Sequence, residues 1–125
     1  MQRFIELGEG YGDIYELIEL ARHMPDRLEE FIKISTTKND TQLLSFAIIM
    51  KPTDIGDFQP IYISLEGVPV RDQQTSKRLQ LFEKTARDHN HTVKELTVKP
   101  STSFHEKMLY YQYLIGIFRM NRFIR

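Results

Sequence analysis

The pattern of apolar residues predicts an α+β fold. It comprises a mainly antiparallel or mixed sheet of four to five strands packed with three helices, in the order (β)αβββαβα. Three observations carry this. Two segments show apolar residues at helical spacing with charged residues opposite. Between them, Leu43 to Met50 is apolar except for Ser45. A last segment, from residue 103 onward, is apolar nearly all round a helix.

The first strand is short, Arg3 to Leu7, with Phe4 and Ile5 as its apolar content. After the loop Gly8–Gly12, a helix begins at Asp13, where an acid three residues later, Glu16, makes a variant of the capping box. At 100° per residue, Ile14, Leu17, Ile18, Leu20, Ala21 and Met24 share one side, and Tyr15, Glu16, Glu19, Arg22 and His23 the other. Pro25 stops the helix. Strands near 28–36 and 43–51 then form an antiparallel hairpin around the turn 37–40, and the second lies inside the sheet because both its faces are apolar. A loop with two prolines, Pro52–Pro60, leads to a third strand at 61–65, ended by Gly67 and Pro69.

A second helix spans about 75 to 89, with Leu79, Phe82 and Ala86 inward, Lys77, Lys84 and Arg87 outward, and Asn90 at its end. A fourth strand covers 92–99, with Leu96 and Val98 expected on opposite faces. Ser103 to Glu106 reads as a capping box opening a final helix toward Asn121. Its face of Phe104, Met108, Tyr111, Leu114, Ile115 and Phe118 is expected to meet the sheet. The opposite face of Leu109, Tyr110, Tyr113, Ile117 and Met120 is expected to be an interface with a second copy, unless the helix is a central core element between the sheet and the first helix.

The 125 residues make a single α+β domain, 1–125, with 41% hydrophobic and 27% charged residues. Having no cysteine, the chain excludes disulfides, zinc ribbons and thiol nucleophiles. No signal peptide or membrane span is readable, and a cytoplasmic location is expected. Acids and bases are equal at 17 each, but residues 1–30 carry a balance of −5 and residues 71–125 one of +6. The overall neutrality argues against nucleic acid as a partner, although Lys77, Arg78, Lys84, Arg87 and the tail Arg119, Arg122, Arg125 are basic. The uneven charge suits a homodimer in which acidic and basic faces meet.

The sequence from Phe4 to Tyr11, Asp13 to Leu17, Lys51-Pro52-Thr53-Asp54 and Gly56 to Pro60 resembles a family of small uncharacterised proteins of Bacillus- and Staphylococcus-type bacteria. Members are sometimes labelled methylthioribose kinase. Such kinases resemble two-lobed protein kinases, whereas this chain is too short for two lobes and holds neither His-Arg-Asp nor Asp-Phe-Gly. The resemblance therefore implies no catalytic residues and no cofactor.

Gly8-Glu9-Gly10-Tyr11-Gly12 has the wrong spacing for a phosphate loop and places acids where phosphate would sit. His89 and His91 have no third ligand at motif spacing. The αβββαβ order resembles the core of the PD-(D/E)XK nucleases. It offers Glu16 (or Glu19), Asp54, Asp57 and Glu66 as metal-holding acids, but lacks the lysine that should follow Glu66. The favoured reading is a non-catalytic interaction or accessory protein that self-associates. A metal-dependent nuclease-like enzyme with a degenerate motif is the alternative.

Overall fold

The computed structural model describes the backbone of residues 2–9, 13–54, 56–69 and 73–124, and all of their side chains except those of residues 8, 9, 13, 65–69 and 73–76. Five strands form one mixed sheet: β1 (Gln2–Glu9), β2 (Leu28–Lys38), β3 (Thr41–Met50), β4 (Gln59–Pro69) and β5 (Val93–Thr97). Three helices pack on it: α1 (Asp13–His23), α2 (Gln73–Asp88) and α3 (Lys107–Met120). The strands lie in the order β1-β4-β3-β2-β5. The meander β2-β3-β4 is antiparallel, while each edge strand runs parallel to its neighbour.

The hairpin forms where expected, and β3 lies at the centre with Phe46 and Ile48 buried. Because side chains alternate along a strand, β3 serves two cores at once. Leu44, Phe46, Ile48 and Met50 face one way, into a core completed by Leu17, Ile18 and Ala21 of α1 and Phe82 and Ala86 of α2. Ala47 and Ile49 face the other way, where Ile32, Ile34, Ile61 and Ile63 meet Tyr110, Leu114 and Phe118 of α3.

Topology explains the division of helices. The connections β1–α1–β2 and β4–α2–β5 each join parallel strands, and both step across the sheet in the same direction. Crossovers of one hand that step in one direction put their helices on one face. The opposite face is covered by α3. α3 is thus not sandwiched between the sheet and α1, since those two helices lie on opposite faces.

Two left-handed residues, Asn39 (φ 51°) and Asp40 (φ 63°), join β2 to β3, as a two-residue type I′ hairpin requires. α2 ends in a Schellman motif. Asn90 sits at φ 64°, its N–H donating to the Arg87 carbonyl (3.0 Å), and the His91 N–H donates to that of Ala86 (2.8 Å).

Several expectations are corrected. Leu96 and Val98 share a face, packing in the α3 core, because a two-residue step along a strand returns to the same side. The capping box at Ser103 does not form. Ser103 ends a short 3-10 turn, and Phe104 is extended so that its ring packs on Tyr110 and Tyr113 (5.7 and 4.9 Å). α3 therefore begins at Lys107, with no side-chain hydrogen bond from its cap residue Glu106. Arg78, read as part of a basic surface, is buried. It stands four and seven residues before Phe82 and Thr85, on the inner face of α2.

The turn generates a test. Asp40 holds a conformation that costs a non-glycine residue about 1 kcal/mol or more. Asp40→Gly is expected to stabilise the fold by up to about 1 kcal/mol in urea denaturation, with an unchanged m-value.

Candidate functional site

A hollow of about 1050 Å³ opens at the end of the sheet where β1, β4 and β2 begin and β3 ends. Its apolar floor includes Leu28 and Ile124, both buried, with Phe123 and Pro52 beside them. Its charged rim comes from distant parts of the chain: Glu29 and Glu30 of β2, Lys51 after β3, Asp57 before β4 and Arg122 after α3.

A line of side-chain hydrogen bonds ties this end together. Arg119 donates to Gln2 Oε1 (3.1 Å), Gln2 Nε2 to Gln59 Oε1 (3.3 Å), and Gln59 Nε2 to Glu29 Oε2 (2.6 Å). α3 is thereby linked through β1 and β4 to β2. Below it, the Arg27 guanidinium donates twice to the Lys51 carbonyl (3.2 and 3.0 Å), and the Lys51 N–H donates to the Arg27 carbonyl (2.7 Å). Glu29 is thus engaged. Glu30, Asp57, Lys51 and Arg122 make no side-chain ion pair or hydrogen bond among the described residues.

Arg122 reaches the cleft by an unusual backbone. The Phe123 N–H donates to the Phe118 carbonyl (2.8 Å) and the Arg122 N–H to that of Arg119 (3.0 Å), with the rings of Phe118 and Phe123 6.3 Å apart. This is a Schellman motif with its hydrophobic contact, and its left-handed position, φ 63°, normally belongs to glycine. Here it carries an arginine that lines the hollow. Burial raises the Glu30 carboxyl above its ordinary pKa, and neighbouring Glu29 raises it further, against the opposing effect of Lys94.

The acids proposed from sequence do not gather. Glu16 lines a separate, mostly apolar hollow of about 460 Å³ with Glu19, His23 and Leu20 of α1 and Leu7 and Tyr62 of the sheet. Asp57 lines the large cleft, and Asp54 is an exposed loop residue. The Glu66 side chain lies outside the described residues, as do Gly10, Tyr11 and Gly12 of the glycine loop. Among the described residues, no three His, Asp or Glu side chains stand close enough to hold a metal. His89 Nδ1 is hydrogen-bonded to the Thr85 carbonyl (2.8 Å). His91 packs near the Phe31 ring (5.6 Å), and burial lowers its pKa, followed by the positive charge of His89, Lys94 and Lys51.

The surface residues proposed on the last helix divide. Tyr110 is fully buried in the core, and Tyr113 and Ile117 are half-buried against it, with the Tyr113 hydroxyl accepting from the Lys99 N–H (3.1 Å). Tyr110, Leu114 and Phe118 are four residues apart and form the inner ridge, so the face toward the sheet is rotated from that expected. Phe4 stacks on Tyr111 at 4.4 Å and Lys107 pairs with Glu6 (3.0 Å), pinning the helix to β1. What remains outside is Met108 (66% exposed), Leu109 (45%) and Met120 (78%), together with Gln112, Gly116 and Arg119.

No helix among the described residues is long and apolar enough to cross a membrane. The profile of the family described as Domain of unknown function (DUF7147) matches residues 1–124, and the chain belongs to that family. Comparison with curated proteins and with solved structures finds no match.

Two outcomes follow from the cleft. Arg122→Gly is expected to stabilise the fold by about 1 kcal/mol, by relieving the left-handed arginine, as read by thermal or urea unfolding. Glu30 acts through pH. A carboxyl whose pKa rises on folding stabilises the fold while protonated, below its unfolded pKa, and loses that contribution as pH rises through the folded pKa. Glu30→Gln should therefore raise the melting temperature at neutral pH, with the gain shrinking to nothing below about pH 4.

Proposed function

We propose that this chain is a non-catalytic cytoplasmic interaction protein that self-associates through the outer stripe of α3. The observation that supports this most directly is the stripe itself. Met108, Gln112, Gly116 and Met120 follow one another at four-residue spacing, with Leu109 and Arg119 alongside, all exposed. Such a row is the ridge by which two helices pack. Methionine is suited to adaptable apolar contacts. Gly116 adds a second argument. A glycine inside a helix costs about 1 kcal/mol relative to alanine, yet a Cβ built here meets nothing within 4 Å. Packing within the chain does not require the glycine, whereas the close approach of a second helix does.

The residues of this contact differ from those read in the sequence. Leu109 and Met120 are retained, Tyr110 belongs to the core, and Met108 and Gly116 take its place. The charge argument separates from it as well. Acidic α1 and basic α2 lie side by side on the far face of the sheet within one chain, away from α3. The dimer contact proposed here rests on the apolar ridge, with two copies crossing near Gly116.

Light scattering at high micromolar concentration is expected to give a dimer. Met120→Asp and Gly116→Glu are each expected to give a monomer with an unchanged circular dichroism spectrum, since both positions are exposed. A wild-type monomer under these conditions would refute the proposal.

A further inference from the structure

The large cleft and the α3 stripe are separate surfaces, and the cleft has chemistry of its own. Among the described residues its rim holds two cations, Lys51 and Arg122, and three carboxylates, of which Glu29 is hydrogen-bonded to Gln59 while Glu30 and Asp57 are not so held. None of Lys51, Arg122, Glu30 and Asp57 makes a close ion pair among the described residues, although Lys94 lies near enough to Glu30 to act on its charge. Opposite charges that do not neutralise each other at the mouth of a hollow offer both signs to a ligand.

Each simpler class of ligand conflicts with half the rim. A phosphate or other anion would meet Glu30 and Asp57, with Glu29 behind them. A metal cation would meet Lys51 and Arg122, and the acids are not gathered to coordinate it. A neutral apolar molecule would cover the floor but desolvate the charged rim without compensation. A zwitterion with an apolar body answers every part of the site: floor, cations and carboxylates. The volume, about 1050 Å³, lies at the upper end of small-molecule pockets and exceeds what one amino acid fills.

The backbone at Arg122 bears on the same point. The Schellman turn would be more stable with glycine, and the arginine held there in the left-handed region makes no ion pair among the described residues. A side chain kept at an energetic cost, without a structural partner among the described residues, is the kind of feature that a ligand contact accounts for. The turn also has a fixed geometry, because its hydrogen bonds and the Phe118–Phe123 contact anchor it to the core.

We propose that this cleft binds a short apolar peptide with free termini, its ammonium held by the carboxylates of the rim, its carboxylate by Lys51 and Arg122, and its side chains on the Leu28–Ile124 floor. The test is an NMR titration of the intact, isotope-labelled chain with tri-leucine. Saturable shifts are expected at Leu28, Glu30, Lys51 and Arg122, with half-saturation at or below on the order of 1 mM. N-acetyl tri-leucine and tri-leucine amide should each bind at least about tenfold more weakly, since each removes one charge-assisted contact. Free leucine binding as tightly as the tripeptide would overturn the peptide reading.

Arg122→Gly should weaken tri-leucine binding while raising the melting temperature, which separates loss of a ligand contact from loss of the fold. Glu30→Gln should weaken it in the same way. Absence of shifts at concentrations on the order of 10 mM would overturn the proposal. So would equal binding of the capped peptides, or shifts confined to the outer stripe of α3.

Discussion

The central strand needs a cover on both faces, and the rest of the architecture follows from that need. β3 carries Leu44, Phe46, Ile48 and Met50 on one side and Ala47 and Ile49 on the other, all buried. Each large apolar side chain taken from water stabilises the fold by about 1.5–3 kcal/mol, so leaving either face open would forfeit much of a small domain's stability. The two crossover helices cover one face only, because both connections step the same way across the sheet. α3 therefore carries the second core without help from another helix. This accounts for its aromatic content, as Tyr110, Tyr111, Tyr113 and Phe118, with Phe104 from the segment before the helix, fill that layer.

The same demand explains how α3 is held. Its flanks are tied to the sheet edge by Lys107–Glu6, by the stack of Tyr111 on Phe4 and by Arg119–Gln2, and on the other side by the Tyr113 hydroxyl under the Lys99 amide. The exposed ion pair is worth at most about 1 kcal/mol, so the aromatic contacts dominate. The chain then turns sharply after Met120 to return Phe123 and Ile124 to the core. That return closes the wall of the large cleft and places Arg122 on its rim. A structural requirement, capping the second core, thus builds the cleft as well.

Two surfaces remain whose composition the monomer does not require: the outer ridge of α3 and the charged rim of the cleft. They differ in physical character. The ridge is apolar, with a glycine where a helix would prefer alanine. The rim is charged, with both signs present and an arginine where a turn would prefer glycine. In each, a residue sits against its local preference without a compensating contact among the described residues, which is where function is expected to leave its mark.

The sequence by itself determined the elements and the two-sided core. Helical spacing in Ile14, Leu17, Ile18 and Ala21, and the apolar run of β3, are local patterns that burial alone enforces. The hairpin around Asn39 and Asp40 was legible for the same reason, since turn chemistry is local. On α3 the pattern was ambiguous, because a helix apolar nearly all round gives no phase. Only contact with the sheet decided that Tyr110 points inward and Met108 outward. The cleft left no readable signal. Gln2, Glu30, Lys51, Asp57, Gln59 and Arg122 come from separate segments with no spacing to connect them. Their meeting depends on strand order and on the left-handed turn at Arg122. Both are consequences of tertiary packing, which brings together residues that the one-dimensional pattern keeps apart.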